Sequence, residues 1–460
     1  MADSRPRTDT LAPDDPREIL SKSPMSPMQV LVIAVTVALN ALDGFDALAI
    51  SFASPGIAKE WGIDRGALGF VLAAELVGMS IGSLFLGGIA DKLGRRRTVL
   101  SCIGVMTVGM FMCTTPTNPT TLSIWRVITG LGIGGMLAVT NAVAAEFANL
   151  KRRDLCVSIM SIGYPIGAVV GGMITAQLLL VYDWRSVFYL GAITSLILLP
   201  LVYFFVPESV HWLMHKRPTR ALDQINQTLR RMGHAVVNSL PAVSPEARKQ
   251  TVGDIFKPGL IRTTMLVSFT YLFHITTFYF LIKWVPKIVV DFGFAPASAA
   301  GVLVWTNVGG ALGGALLGLL TQRFNLRGLT IGAMFLSTIA VTIFGRTPHD
   351  LTMLSIVCAI SGFFVNAAIV GQYAIFAKAF PTHVRAFGTG FAVGIGRGAS
   401  FLAPILAGYL FEAGYELPSV SLTMALGATL AAGTLLMLRL GTDKTATGQT
   451  EPAKLKRAEA

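Results

Sequence analysis

The sequence has little charge for its length. Of its 460 residues, 13% are charged and 53% are hydrophobic, whereas a soluble domain has about 25% charged residues. Twelve apolar segments long enough to cross a bilayer follow one another between residues 29 and 439. The composition therefore excludes a soluble globular protein and predicts an all-α polytopic membrane protein with twelve transmembrane helices.

Cysteine and catalytic motifs are also scarce. The four cysteines, Cys102, Cys113, Cys156 and Cys358, lack the spacing of a metal or redox site. The H-E-x-x-H motif of zinc proteases is absent. A G-x-G-x-x-G string begins at Gly130, but no strand precedes it, so it does not indicate a nucleotide site. We therefore expect no metal, no cofactor and no enzymatic activity.

The net charge of +12 is unevenly distributed along the chain. Lysines and arginines cluster in alternate loops, such as 92–97 and 151–153, whereas the loops 116–120 and 412–417 contain none. The positive-inside rule then predicts that both termini are cytoplasmic. The basic residues thus indicate membrane topology and contact with anionic lipids, and they do not indicate a nucleic-acid partner.

The chain divides into two span-rich halves and three hydrophilic segments. The halves are 29–206 and 261–440, and a central loop, 207–260, separates them. Residues 1–28 lack the apolar core of a signal peptide, and we expect a disordered cytoplasmic tail there and at 441–460.

The two halves resemble each other in sequence. Pro55 and Pro286 differ by 231 positions, and at this offset Gly78, Gly82 and Gly87 align with Gly309, Gly313 and Gly318. After a slip of one residue, Gly130 aligns with Gly362. Two similar halves in parallel order predict a pseudo-twofold axis along the membrane normal, with a binding site between the halves.

A polar motif joins the second and third spans. Gly87, Asp91, Gly94, Arg95 and Arg96 fit the pattern G-x-x-x-D-[RK]-x-G-R-[RK]. This pattern resembles the cytoplasmic-loop signature of the major facilitator superfamily, and the resemblance covers residues 29–440. It implies that the loop is a latch between conformations. Simple anchoring by positive charge is the alternative, and it explains the arginines but not the aspartate and glycines.

Further residues resemble partners of this latch. Glu146, near the end of the fourth span, is similar to the acidic partner of the loop in the superfamily, and Arg385 is similar to an arginine after the tenth span. The second-half copy of the motif has Gln322 and Asn325 in place of the aspartate and glycine. We therefore expect a weaker latch in the second half.

The first span contains two acidic residues at membrane depth. The string "LDGFD" places Asp43 and Asp46 three residues apart, hence on one helix face. It resembles the D-G-F-D pattern of the aromatic acid:proton symporter family, which implies proton coupling. Two adjacent carboxylates in low dielectric cannot both stay ionised cheaply, so one can bind a proton. Structural hydrogen bonding is the alternative, and for Glu75 on the second span both roles stay open.

Basic residues at similar depth are candidate ligands for an anion. Arg126 and Arg397 resemble arginines of the symporter family, and a guanidinium inside the membrane matches a carboxylate. Lys283 departs from that family's pattern; it either contacts the substrate or extends to the membrane surface. His274, at the 231-residue offset from Asp43, is either a proton-coupling group or a core histidine.

The resemblance implies a proton-coupled symporter that imports a small aromatic or related carboxylate across the cytoplasmic (inner) membrane of a bacterium. Tyr279 and Tyr373 are the aromatic residues predicted to contact the ring of the substrate. Alternatives within the superfamily are a sugar-acid or dicarboxylate symporter and a proton-coupled exporter. The expected partners are the carboxylate, protons and lipids, and we expect a monomer.

Overall fold

The computed structural model describes residues 15–241, 255–380 and 384–438 of the chain. The first half consists of α2 (Pro27–Trp61), α3 (Arg65–Leu93), α4 (Arg95–Met112), α5 (Pro119–Phe147), α6 (Arg153–Val181) and α7 (Arg185–Phe205), with a short α1 (Pro16–Lys22) before them. The central segment forms α8 (Val210–Lys216) and α9 (Ala221–Arg231). The second half consists of α10 (Ile261–Asp291), α11 (Pro296–Leu320), α12 (Leu326–Phe344), α13 (Leu351–Ala379), α14 (Arg385–Ala399), α15 (Leu402–Glu412) and α16 (Leu417–Met437).

The helix boundaries follow local sequence signals. Ser26 and Gln29 form a capping box before α2, and Asp64 and Asn118 cap α3 and α5 through their side chains. Within the described ranges, eleven helical segments are long and apolar enough to cross a membrane, counting α14 with α15 as one segment. The short and strongly basic α4 is not among them; it packs between α5 and α7 as the twelfth member of the bundle.

Several predicted segments differ from the structure. The first span continues as a helix through Pro55 to Trp61, beyond the apolar run. Pro16–Lys22, within the tail predicted to be disordered, forms α1, and its Leu20 is buried. The central loop contains α8 and α9. Residues 1–14 and 439–460 of the two predicted tails lie outside the described residues.

The glycine positions of the sequence repeat pack in the same way in both halves. A Cβ on Gly78 or Gly82 would collide with the backbone carbonyls of Val127 and Leu131 in α5. The aligned Gly309 and Gly313 meet the carbonyls of Ala359 and Phe363 in α13 in the same manner. Close helix crossing through small residues is typical of membrane bundles. The two halves therefore repeat one architecture, as the sequence offset predicts.

Ser80 is the serine of a G-x-S-x-G match at Gly78–Gly82, a pattern found in many hydrolases. Here the five residues lie in the middle of α3, not at a strand-to-helix turn. The Ser80 hydroxyl donates to the carbonyl oxygens of Leu76 (2.7 Å) and Arg397 (2.8 Å). It is thus a helix-packing residue that joins α3 to α14.

The halves are held together at one end of the bundle. We call the end with α1, α8, α9 and the α3–α4 junction the latch end, and the opposite end the far end. Across the halves, Gly69 meets Pro404 and Gly172 meets Val304, both toward the far end. α5 and α13 of the two halves make few contacts with each other, and Asn141, in the part of α5 nearer the latch end, is exposed. The space between the halves therefore opens toward the latch end.

Candidate functional site

The two aspartates of the first span lie at the centre of the bundle. Asp43 and Asp46 are both fully buried in α2, and none of their four carboxylate oxygens has a hydrogen-bond partner among the described residues. Gly44 lies against the carbonyl of Tyr164, and Gly191 of α7 lies beside the Asp46 carboxylate. Unpaired buried carboxylates are rare because desolvation is costly. The structure therefore brings this pair together without the structural hydrogen bonds of the alternative interpretation.

Asp46 lies next to a cluster of three charged side chains. Arg126 donates through Nη2 to the main-chain oxygen of Asp46 (3.1 Å) and to Oε2 of Glu75. Lys283 donates through Nζ to the carbonyl oxygen of Ala47 (2.6 Å) and to the same Oε2 of Glu75 (3.3 Å). We call Glu75, Arg126 and Lys283 the central triad; all three side chains are 0% exposed.

The central triad bears on two roles that the sequence left open. Lys283 does not extend to the membrane surface, because its ammonium group is buried and bound to Glu75 and Ala47. It reaches from α10 of the second half into the first half. Glu75 is the shared carboxylate of two cations, which is the structural role that the sequence left open.

Asp43 interacts electrostatically with a cation outside the central triad. Arg397 of α14 acts electrostatically on Asp43 from the opposite half, and it is only half-buried. Three tyrosines, Tyr271, Tyr279 and Tyr373, interact with the Arg397 guanidinium. The hydroxyl oxygens of Tyr271 and Tyr373 are 2.9 Å apart. Among the described residues no carboxylate lies within ion-pair distance of Arg397, so its charge faces the space between the halves.

The candidate aromatic residues have different positions. Tyr279 is buried, with 6% of its surface exposed, whereas 36% of Tyr373 is exposed. Sequence reasoning missed Tyr164 of α6, which lies among Asp43, Arg397 and Tyr279. It also missed Gln372 of α13, which is fully buried with neither amide atom bonded among the described residues. The only signal for Gln372 was an amide side chain within an apolar span, which it shares with Asn366.

His274 lies away from the acidic pair. Its Nε2 is 2.8 Å from the carbonyl oxygen of Val365, and both residues belong to the second half. Its Nδ1 is buried without a partner among the described residues. This position favours the core histidine over the proton-coupling group.

The predicted latch forms a compact network at the latch end. Arg95 pairs with Asp91 one turn earlier and with Glu146 of α5 (3.3 Å). Gly94 has φ 107°, a conformation that favours glycine. The Arg96 guanidinium donates to the carbonyl oxygen of Tyr203 (2.6 Å) in α7. The environment of Gly87 and the side chain of Arg385 lie outside the described part of the structure.

Glu208 is a latch residue that sequence reasoning missed. Its Oε1 accepts the main-chain N–H groups of Arg95 (2.7 Å), Arg96 (3.2 Å) and Ser209 (3.0 Å). It therefore caps the first turn of α4 from the central segment. Burial raises the pKa of Glu208, and the three N–H donors oppose that shift. The acidic residue in "PES" directly after the sixth span was the available signal.

A cavity of about 320 Å³ lies against the latch and is lined by residues that include Asp91, Glu146, His211 and His215. Burial lowers the pKa of His211, so its ring is neutral near pH 7. No group of three or more potential metal ligands occurs in the ranges that the structure describes.

The latch should control the rate of transport more than the affinity for substrate. In Asp91→Asn, Arg95 keeps Glu146 but loses its exposed partner, and such a pair is worth at most about 1 kcal/mol, or about fivefold. We expect uptake to slow by about this factor while calorimetric affinity is unchanged, since Asp91 lies far from the central acids. Gln322→Ala, at the aligned position of the second half, is the matched control. A parallel loss of affinity would assign Asp91 to the substrate site.

An ion pair joins the halves at the far end. Arg65 of α3 donates to Asp291 of α10 (3.0 Å), and its guanidinium lies 5.0 Å from the ring centre of Phe411. Lys287 also pairs with Asp291. Nearby, the Trp284 indole donates to the carbonyl oxygen of Pro404 (3.3 Å). The Arg65 contacts with Asp291 and Phe411 cross between the halves and close the far end in this conformation.

Removing the far-end ion pair should favour opening there. We expect Asp291→Asn to populate a conformation with a longer distance between spin labels at Lys59→Cys and Glu416→Cys. Both positions are exposed on opposite halves, and the four native cysteines would be replaced. Pulsed electron paramagnetic resonance measures the distance distribution. Asp183→Asn, which removes a partner of Arg185 within one half, is the control. An unchanged distribution in Asp291→Asn would show that the ion pair does not hold the far end closed.

Comparison with known proteins identifies the family. The family model described as Major Facilitator Superfamily matches residues 36–306 and 267–459. The 4-hydroxybenzoate transporter PcaK of Acinetobacter baylyi is 31% identical, covering 84% of this chain and 86% of that protein. The gallate transporter of Pseudomonas putida is 27% identical over 92% of this chain and 95% of its own length. Both relatives are aromatic-acid transporters by name.

Solved structures agree on the fold. The inward-open xylose transporter XylE of E. coli has a TM-score of 0.70 at 18% identity, covering 91% of this chain and 98% of that one. At this identity the likeness concerns the arrangement of helices alone. Together with the membrane-spanning helices and the two similar halves, these matches show that the chain belongs to the major facilitator superfamily and is a multi-pass membrane transporter similar to carriers of aromatic acids.

Proposed function

We propose that this protein is a proton-coupled symporter that imports a small aromatic carboxylate across the cytoplasmic membrane of a bacterium. The observation that most supports the substrate class is the environment of Arg397. Its guanidinium has no carboxylate partner at ion-pair distance among the described residues, and it lies among Tyr271, Tyr279 and Tyr373. A carboxylate can bind a guanidinium through two hydrogen bonds, while tyrosine rings offer flat apolar faces to an aromatic ring.

The relatives support the same substrate class. The two carriers described above are named for 4-hydroxybenzoate and gallate, and further relatives are named for benzoate and for 3-(3-hydroxyphenyl)propionate. All four are carboxylates with one aromatic ring. A dicarboxylate or sugar-acid carrier has no such support among these relatives.

Proton coupling is supported by the acidic pair. Asp43 and Asp46 are buried without hydrogen-bond partners among the described residues, which makes the neutral form of at least one of them favourable. A carboxyl group that is neutral in part of the cycle can bind a proton on one side and release it on the other. Glu75 is less suited to this role, because two cations hold its carboxylate.

The conformation fits one stage of alternating access. With the termini in the cytoplasm, as the positive-inside rule predicts, the far end is periplasmic and is closed by Arg65 and Asp291. The space between the halves opens toward the cytoplasm. Rocking of the two halves would close the latch end and open the far end, exposing Arg397 and the aspartates alternately to each side.

Two measurements test this proposal. The first is a thermal-shift screen of the purified protein with benzoate, 4-hydroxybenzoate, gallate, succinate, glucuronate and xylose, each at pH 5.5 and pH 7.5, because a bound ligand stabilises the folded state. The second is uptake of radiolabelled 4-hydroxybenzoate into proteoliposomes with an inward proton gradient. We expect stabilisation by aromatic acids and accumulation that collapses with a protonophore. Stabilisation by succinate or glucuronate alone would assign a different substrate, and efflux driven by proton entry would indicate an exporter.

A further inference from the structure

The central charges of the bundle differ in how firmly they are paired. Six side chains with a carboxylate, guanidinium or ammonium group lie at the centre: three acids, Asp43, Asp46 and Glu75, and three bases, Arg126, Lys283 and Arg397. Five of them are 0% exposed, and Arg397 alone is partly exposed. Burying an unbalanced charge is costly, so the net charge of these side chains limits the charge of the substrate that can bind among them.

The charged groups of the central triad are paired with one another. Glu75 Oε2 accepts from both Arg126 and Lys283, and these two cations also bind the main-chain oxygens of Asp46 and Ala47. Every side chain of the triad therefore has a partner within it, and the triad has a net charge of +1. Two of its atoms, Oε1 of Glu75 and Nε of Arg126, are buried without a hydrogen-bond partner among the described residues. Asp46, beside Arg126, balances that charge when it is ionised.

The remaining two charges face each other across the halves. Asp43 and Arg397 interact electrostatically but are not in contact as an ion pair, and the space between the halves reaches Arg397. When Asp43 is ionised, it balances Arg397 and the centre is neutral. When a carboxylate with one negative charge binds Arg397, the centre stays neutral only if the aspartate pair gains one proton.

We propose that Glu75 and Lys283 are a fixed ion pair joining the two halves, and that the other central charges make the site bind one monocarboxylate together with one proton. This inference rests on the proposed function and extends it to the charge class of the substrate and to the stoichiometry. Glu75 and Lys283 are then positioning residues: they hold Arg126 beside Asp46 without contacting substrate or transported proton. The proton passes from the periplasmic solution to the aspartate pair and from there to the cytoplasm. The single negative charge of the monocarboxylate crosses with it, so that no net charge is moved.

The first consequence is electroneutral transport. In proteoliposomes containing the wild-type protein, an inward pH gradient with the membrane potential clamped to zero should drive accumulation of radiolabelled 4-hydroxybenzoate. A potassium-diffusion potential of either sign without a pH gradient should drive none. Protein-free liposomes correct for permeation of the undissociated acid. Accumulation driven by an inside-negative potential alone would overturn the one-to-one stoichiometry, whereas absence of any 4-hydroxybenzoate uptake or binding would instead count against the proposed function.

The second consequence concerns the charge of the substrate. Terephthalate has a second carboxylate opposite the first, and the centre has no further unpaired cation among the described residues to balance it. Benzoate should therefore compete with 4-hydroxybenzoate uptake at least about a hundredfold better than terephthalate at pH 7.5, given the cost of an unpaired buried charge. Equal competition by the two acids would overturn the charge balance.

The third consequence separates the fixed pair from the proton carriers. Glu75→Gln removes the carboxylate that Arg126 and Lys283 share, and Lys283→Met leaves Glu75 with one cation. Each single variant should lower uptake at least about tenfold, because each leaves an uncompensated buried charge. The double variant should recover to within about threefold of wild type and stay electroneutral. Glu60→Gln with Arg185→Met, an ion pair within one half, controls for double neutralisation.

Folding of the variants is checked separately. Each is assayed only if it elutes as a single species and unfolds cooperatively in the thermal-shift assay, and 4-hydroxybenzoate binding is measured beside uptake. A folded double variant that binds 4-hydroxybenzoate but remains as inactive as the single variants would overturn the fixed-pair role. If the single variant Lys283→Met fails to fold, recovery of folding in the double variant reports the same pairing.

Discussion

Arg397→Ala should abolish binding of the aromatic carboxylate. Arg397 is the central cation that faces the space between the halves, and loss of a buried charge-assisted pair with the substrate costs about 2–5 kcal/mol, or tens to thousands of fold in affinity. Isothermal calorimetry with 4-hydroxybenzoate in detergent measures the effect directly. Arg397→Lys keeps the charge but loses the planar donor pair, so it should retain intermediate affinity.

The control variants test whether the effect depends on the position of Arg397 or on the loss of any positive charge. Arg323→Ala removes an exposed arginine at the latch end and should leave affinity unchanged. Unchanged affinity in Arg397→Ala, together with loss of binding in Lys283→Ala, would place the anion site on α10. That outcome would also contradict the fixed role of Lys283, because a lysine held by Glu75 and Ala47 is not available to substrate.

Replacing either aspartate of the acidic pair with asparagine should reduce proton-driven accumulation more than substrate exchange. Asp43→Asn and Asp46→Asn keep the size of the side chain but cannot bind and release a proton. We expect each variant to lose proton-driven accumulation by at least about tenfold, while at least one retains part of its substrate counterflow. Counterflow needs only binding and reorientation of the loaded protein, so it does not require a proton to be released. Radiolabel exchange and gradient-driven uptake in the same proteoliposomes measure both.

The two aspartates should differ from each other. Asp43 faces Arg397, so Asp43→Asn mimics the protonated, substrate-binding form and should retain counterflow. Asp46 lies beside Arg126 and Gly191 within the first half, and its loss leaves the positive charge of the triad unbalanced. Asp154→Asn, an exposed carboxylate at the start of α6, is the control. Accumulation in both variants under a pH gradient alone would make the pair structural.

Much of the fold could be predicted from the sequence because the signals are local or periodic. Apolar runs identify the spans, since no unpaired backbone is tolerated in lipid. The 231-residue offset aligns Gly78 with Gly309 and Gly82 with Gly313, and each pair meets a backbone carbonyl of the corresponding helix. The latch motif was also recognisable, because Asp91 and Arg95 lie one helical turn apart and Gly94 requires its own backbone conformation.

The ends of helices were less well predicted from the sequence than the apolar spans, because a helix can continue past its apolar run. The first span extends to Trp61 because Pro55 is tolerated within the helix and Gly62 ends it in a left-handed conformation.

The cap of α4 comes from Glu208, more than a hundred positions away from Arg95. A carboxylate in a loop has no periodic signal, so its partner is visible only once the central segment is placed beside α4.

The sequence by itself determined that this is a two-halved membrane protein with acids and bases at membrane depth, because hydropathy and spacing along a helix are properties of neighbouring residues. Its resemblance to a transporter family rested on short motifs of the same local kind. Only the tertiary structure decided which charges pair. Lys283 and Glu75 are 208 positions apart and belong to different halves, and they meet because α2, α3 and α10 converge at the centre. The same packing leaves Arg397 without a carboxylate at ion-pair distance among the described residues. In a buried site the partner of a charge sets its energy, and partners are chosen by the packing of helices and not by their order along the chain.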